Sequence, residues 1–270
     1  MRIIKGVGLL LLGAVLLFFS VKIVLGAPET TDRINSAIQI KNGKMATENE
    51  GKLVSVSGTL QPALPLVDPL NGVELPTIHA DRKVQAVKGK TVDNKIIFTW
   101  EPVNGKTLIN DPAFVSTPLA AEAKLGDFIV DPKLIMQLNA GIVFSDYDLA
   151  NLDSVGINAF QQSKLDTVYL SPEDSIPVGD SLSAANEGKM RIEYTIVDPN
   201  DPLEYTIIGI QKGNNLIPDE EIALSNSVHK GIANTQEVAE SSKATTWGGA
   251  GLAFALAALS IFFGIRVFRQ

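Results

Sequence analysis

The chain begins and ends in apolar runs, and these constrain its fold more than anything between them. Gly6 to Gly26 reads GVGLLLLGAVLLFFSVKIVLG, with Lys22 its single charge and Arg2 and Lys5 ahead of it. As an α-helix that run is about 30 Å long, the thickness of a bilayer core. Trp247 to Ile265 reads WGGAGLAFALAALSIFFGI, uncharged and followed by Arg266 and Arg269. Soluble cores rarely need apolar helices so long, so both runs are expected to cross a membrane. Lys5, Lys22, Trp247, Arg266 and Arg269 are then the membrane-anchoring residues. The Lys22 stem snorkels to the interface, Trp247 sits at headgroup level, and the remaining basic groups stay in the cytoplasm. Both termini are thereby expected on the cytoplasmic side and residues 27–246 on the other. The competing reading is a cleaved signal peptide, with MRIIK as its basic region and Val24-Leu25-Gly26 before the cut at Ala27. Lys22, so close to that site, weighs against cleavage. Gly249, Ala253 and Ala257, spaced i, i+4, i+8, are candidates for a helix-packing face. Their partner would be another helix of this chain or of a second copy; small residues are also simply common in membrane helices.

Charge separates the ends from the middle. The chain carries 23 Lys plus Arg against 30 Asp plus Glu, a net of −7. Five of the basic residues, and no acidic ones, lie in 1–26 and 247–270, so 27–246 holds 18 basic and 30 acidic groups, a net of −12. An acidic middle excludes nucleic acid as a partner. The absence of Cys removes disulfides, thiolate metal sites and cysteine catalysis together.

The middle reads as strands and turns. Ile34, Ala37, Ile38 and Met45 suggest a short amphipathic helix leaving the membrane, ended by Asn42-Gly43. Leu53 to Ser57 alternates as a half-buried strand, Asn71-Gly72 is a turn, Val73 to Val87 is extended, and Lys95 to Trp100 is a strand that Asn104-Gly105 could turn back. Asp131-Pro132 ahead of KLIMQL is a helix start, with a capping acid, Pro at the first helical position, and Leu134, Ile135 and Leu138 on one face. Met190 to Val197 puts Ile192, Tyr194 and Ile196 on one face. Tyr205 to Ile210 is its expected hairpin partner across 198-DPNDP-202, and Lys212 to Asn215 turns the far side. The domain plan is an N-terminal transmembrane helix (1–26), a polar or helical linker (27–50), a strand-rich extracytoplasmic domain (51–218), a polar tether (219–246) and a C-terminal transmembrane helix with a basic tail (247–270). The fold class is α+β.

Chemistry-bearing residues are sparse. No nucleophile elbow, phosphate loop, dinucleotide fingerprint, zincin or calcium-loop pattern occurs. His79 and His229 are lone imidazoles, more readily structural than catalytic. Asp198, Asn200 and Asp201 could offer oxygens to calcium, but two prolines favour an ordinary Asx turn. Glu173-Asp174 and Glu220-Glu221 are neighbours in loops, which point apart rather than forming an acid pair. No catalytic, cofactor or metal residues are assigned.

Several segments, in order, resemble the transmembrane protein 43 (LUMA) family: 49-NEGKLVSVSGTL-60, Phe98-Thr99-Trp100, 125-LGDFIVDPKLIMQL-138, 176-IPVGDSLSAANEGKMRIEYTIV-197 and 205-YTIIGIQKGNNLIP-218. The resemblance covers most of 49–218. It implies a membrane protein with a large domain between its first helix and its C-terminal membrane region, held in the lumen in animal relatives, which self-associate and organise membranes. No catalytic residue is implied. The chain departs from the family in having one C-terminal membrane helix rather than several, and in being short between 98 and 125, as a reduced or bacterial-type member would be. Contacts with nuclear proteins are not carried over. Together these readings lead to a non-catalytic, membrane-organising or protein-interaction scaffold. Its partners would be the bilayer, other membrane proteins and a second copy of itself, and it needs no cofactor. The alternative is an extracytoplasmic enzyme or sensor acting on lipid or envelope material with carboxylates that only the fold brings together.

Overall fold

The computed structural model describes residues 2–41, 43–103, 115–148, 152, 158–161, 167–171 and 182–269. It is an α+β chain in which a strand-rich body lies, in sequence, between two long helices. Numbered along the chain, the helices are α1 (Arg2–Asn35), the short α2 (Pro132–Ile135) and α3 (Thr235–Arg269). The chain divides into two units, Met1–Gly58 with Tyr205–Gln270, and Thr59–Glu204. The first boundary falls inside a strand, so the expected limits at 51 and 218 do not coincide with this division.

In the first unit, β1 (Ile38–Lys41) runs parallel to the start of β2 (Leu53–Pro62), with Ile38 opposite Val54 and Lys41 opposite Ser57. Val54 to Ser57 is buried on both faces, not on one. Strand β14 (Glu204–Lys212) pairs antiparallel with β15 (Asn215–Ile217) and with β16 (Val228–Lys230). The β14–β15 turn passes through Gly213 at φ 58°, a left-handed conformation that glycine adopts without steric cost. Ile34, Ala37, Ile208, Ile222, Val238 and Ala239 close the core of this unit.

Two expectations change here. No separate amphipathic helix follows the first apolar run: α1 continues to Asn35, and Ile38 opens a strand. Ile34 and Ala37 are buried as expected, while Ile38 and Met45 are exposed. Nor is 219–246 a mere tether, because it contains β16 and the first turns of α3. Asn234 caps that helix, its side chain accepting from Glu237 N at 2.9 Å while Glu237 accepts from Asn234 N at 2.9 Å. This reciprocal pair is a capping box written in 234-NTQE, with Asn in place of the usual hydroxyl.

The second unit is organised on β5 (His79–Val92). One edge of β5 pairs with β13 (Met190–Ile196), from Ala80 opposite Ile196 to Ala86 opposite Met190. Its other edge is shared by β7 (Thr117–Ala120) and β6 (Lys95–Pro102). β13 in turn pairs with β10 (Ile142–Val143) and β12 (Val168–Ser171), and β12 with β11 (Asn158–Gln161). The small hairpin of β3 (Leu66–Val67) and β4 (Glu74–Leu75) turns at Asn71-Gly72, with Gly72 at φ 74°. β8 (Ala123–Leu125) pairs with β9 (Phe128–Val130) and with the end of β2. The α2 start is as read, with Asp131 accepting from Lys133 N at 2.8 Å and Leu134, Ile135 and Leu138 buried.

Met190–Ile196 and Tyr205–Ile210 are not hairpin partners: β13 pairs with β5 and β14 with β15 and β16. Pro199 and Pro202 have no N–H to carry a ladder across the connection, and Leu203 turns the chain at φ 54°. The alternation in β13 holds, with Ile192, Tyr194 and Ile196 buried beside Ala80, Val84, Phe144, Tyr147 and Leu170. Asn104-Gly105 and Glu173-Asp174 lie outside the described residues.

Candidate functional site

Three arrangements carry what functional content the fold has. The first is the pair of long helices. An added Cβ on Gly13 would lie 2.6 Å from Ile261 Cγ1 and 3.1 Å from the Ala257 carbonyl oxygen, so α1 and α3 approach closely there. Near the other end Ile34 packs with Val238 and Ala239. Moving forward along α1 thus means moving backward along α3: the helices are antiparallel, and the two chain ends share one end of the pair. The buried positions on α1 include Gly13 and Ser20, and on α3 Ala250, Ala257 and Gly264. Large apolar side chains point outward instead, including Leu11 at 62% exposure, Phe18 at 59%, Leu252 at 65% and Phe262 at 59%. Small residues inside and large apolar ones outside invert the soluble pattern, and suit helices solvated by lipid.

Of the expected packing residues, Ala257 is buried and Ala253 half-buried, but Gly249 is exposed with nothing within 4 Å of an added Cβ. Ala250 takes the inward place. The reason is periodicity: residues 250, 253, 257 and 264 follow the i, i+3, i+7 seam of a nearly parallel-axis pair, and an i+4 row drifts off it. Trp247 and Arg266 are exposed. The side chains of Lys5, Lys22 and Arg269 lie outside the described residues. Among the described residues, Thr235–Val267 is long and apolar enough to cross a membrane, and Val7–Val21 is a shorter apolar helix.

Where the helices leave their apolar spans, Arg33 is clamped. Its Nη2 donates to Asp219 Oδ2 at 2.6 Å and its Nε lies 2.8 Å from Glu221 Oε2. The hydrogen bond to Asp219 raises the guanidinium pKa further. Of the neighbouring carboxylates read in sequence, Glu221 is half of this clamp and Glu220 is exposed. Asp219, the buried member, carries no local signal that would have singled it out.

The second arrangement is a groove of about 370 Å³ in the Thr59–Glu204 unit. Pro62, Leu64, Pro65, Pro76, Ile78 and Pro199 form its apolar walls, and Asp198 and Asp201 are its ionisable residues. Both carboxylates brace their own loop: Asp198 Oδ1 accepts from Asn200 N at 2.8 Å and Asp201 Oδ1 from Leu203 N at 3.0 Å. These are Asx turns, and the described residues hold no cluster of three or more metal-ligating side chains.

The third is a buried polar network. Arg82 Nη1 donates to Asp68 Oδ1 at 2.5 Å, Tyr194 Oη donates to Asp68 Oδ2 at 2.5 Å, and Asn71 Nδ2 donates to Tyr194 Oη at 2.7 Å. Burial first, then the Asp68 carboxylate, drives the Tyr194 pKa far above its ordinary value. Burial likewise raises Tyr147, which packs edge-on against Phe144 at 4.9 Å. Nearby Arg191 lies between the rings of Trp100 and Tyr169, at 4.5 and 4.2 Å, and donates to Gln85 Oε1 at 2.9 Å. Its pKa is lowered chiefly by burial.

His79 is buried, its Nδ1 donating to the Leu138 carbonyl at 2.8 Å, with Nε2 3.6 Å from Asp81. His229 Nε2 contacts the Asn226 carbonyl at 2.9 Å, and burial lowers its pKa. Each imidazole ties a strand to a loop backbone. Comparison with family models, with curated proteins and with solved structures finds no match to the chain. The features on hand define a mixed α+β protein with a strand-rich body and two apolar helices that point to a membrane.

Proposed function

We propose that this chain is a membrane-anchored, non-catalytic scaffold, held by both long helices and presenting its strand-rich region to partners on the far side. The observation that carries the reading is the inverted helix pair, with Gly13, Ser20, Ala250 and Ala257 inside and the large apolar side chains outside. Water would penalise that exposed surface by roughly 25 cal/mol per Å², and lipid would not. Because the helices are antiparallel, one crossing by each puts both termini on the same side, in agreement with their basic flanks. The ordered resemblance to the transmembrane protein 43 family supports the same plan. The groove is the contact surface of this scaffold. Its proline and leucine walls with two carboxylates suit a partner segment that joins apolar side chains to a Lys or Arg. Both carboxylates act as turn braces, which favours docking over acid–base work.

Protease protection of a doubly tagged chain in sealed vesicles of known orientation tests the topology. Both tags cut from one face, and 27–246 from the other, is the expected result; tags on opposite faces would overturn the anchoring scheme. A photoreactive group at Leu64 should then capture a membrane protein or a second copy. Reaction with solvent alone would remove the groove from the proposal.

A further inference from the structure

The β5–β6 hairpin extends past the core of its unit as a two-stranded finger. Its turn is Asp93-Asn94, both left-handed at φ 49° and 61°, the geometry that continues the natural twist of two paired strands. Every residue from Lys90 to Ile97 is exposed. Three of them are large and apolar: Val92 at 41%, Ile96 at 67% and Ile97 at 46% exposure.

The register sorts the side chains. Lys88 faces Thr99, Lys90 faces Ile97 and Val92 faces Lys95, which puts these six on one face. Gly89 faces Phe98 and Thr91 faces Ile96 on the other. There an added Cβ on Gly89 would meet Phe98 at 3.0 Å and Ile96 at 3.3 Å, so both apolar side chains lie over the glycine as one strip. Trp100 follows on that strip, against Arg191. One face of the finger therefore carries the Ile96–Phe98 strip and the other carries three lysines interleaved with Val92 and Ile97, so the tip is both apolar and cationic in a chain whose net charge is −7.

We propose that this finger seats on an anionic bilayer surface, with Ile96 and its strip entering the interfacial layer and Lys88, Lys90 and Lys95 reaching lipid headgroups. The occupant is argued from charge and apolarity together: an exposed apolar tip needs a non-aqueous seat, and the lysines select the anionic one. The inference rests on the membrane-anchored reading only in that anchoring keeps a lipid surface within reach of the finger.

The chain has no cysteine, so Ile96→Cys gives a single site for a nitroxide label in the full-length protein. Reconstituted in vesicles containing phosphatidylserine, the label should collide with lipid-soluble oxygen and be shielded from a water-soluble nickel chelate. In phosphatidylcholine alone, or in the K88E/K90E/K95E variant, it should return to water. A label at exposed Ser183 should be aqueous throughout. A 96 label open to nickel in every vesicle overturns the proposal, as does lipid contact indifferent to headgroup charge. Shielding from both colliders would place a protein there instead of lipid, and also overturns it. Flotation of the same proteoliposomes reports anchoring separately, so loss of the anchor is distinguishable from failure of the finger.

Discussion

Asp68 is fully buried, yet its two carboxylate oxygens accept from Arg82, Tyr194 and the Leu70 backbone N–H. Arg82 and Tyr194 are themselves buried, so neither can be removed without leaving the carboxylate short of a buried donor. Asp68→Ala deprives the buried Arg82 guanidinium of its counter-charge, leaving the Val115 carbonyl among its acceptors, and should cost about 3–5 kcal/mol in denaturant unfolding. Tyr194→Phe removes one hydroxyl and should cost about 1–3 kcal/mol. The two losses should fall short of additive in a double-mutant cycle, because they share the carboxylate; full additivity would mean the network does not act as a unit. His229 makes a pH prediction. Burial lowers its folded pKa below the ordinary value of about 6.5, so as pH falls from there the unfolded state takes up a proton before the folded state does. Stability should decline through that window and level off once the folded imidazole also protonates. His229→Gln should remove that part of the acid sensitivity, and an unchanged slope of stability against pH would refute it.

Among the elements, the contact of α1 with α3 depends on Gly13. A leucine there would drive its Cβ into Ile261 and toward the Ala257 carbonyl, while a leucine at Gly249 enters open space. Gly13→Leu should therefore lower the thermal midpoint of the detergent-solubilised chain, at a cost of about 1–3 kcal/mol, and Gly249→Leu should leave it unchanged or slightly raise it. Equal effects at the two positions would mean the i, i+3, i+7 seam is not the packing face. These elements also mark how far the sequence was legible. Long apolar runs, the Asp131-Pro132 cap and the Asn71-Gly72 turn are local signals, and local physics fixes them. The pairing of β13 with β5 joins residues some hundred positions apart in the chain, and no periodicity encodes which strand is a neighbour. The groove and the Asp68 network were invisible for the same reason. Asp68 sits in an unremarkable LVDPLNG stretch, and only the fold brings Arg82 and Tyr194 to it.

At the scale of the molecule, the first apolar segment has two possible fates, a cleaved leader or a permanent helix, and packing discriminates between them. A leader is discarded, so nothing in the mature fold should depend on it. Here α1 runs unbroken from Arg2 to Asn35; Arg33 and Ile34 would stay with the mature chain in either case, but Gly13 and Ser20, which precede the cut, are buried, and Gly13 lies against Ile261 and Ala257 of α3. Cleavage before Ala27 would remove Gly13 and Ser20 from opposite α3 and expose Ala250 and Ala257, a seam too poor in large side chains to hold a partner by burial alone. The chain isolated from membranes should therefore retain its first 26 residues, as read by intact mass and N-terminal sequencing. A version beginning at Ala27, supplied with a foreign signal peptide, should reach the membrane through α3 but unfold at a lower temperature. Restoring residues 1–26 as a separate peptide should recover part of that loss if the seam is specific. Were the mature chain found to begin at Ala27 with undiminished stability, the antiparallel pair would have no role in the folded protein, and the two-anchor scheme would fall with it.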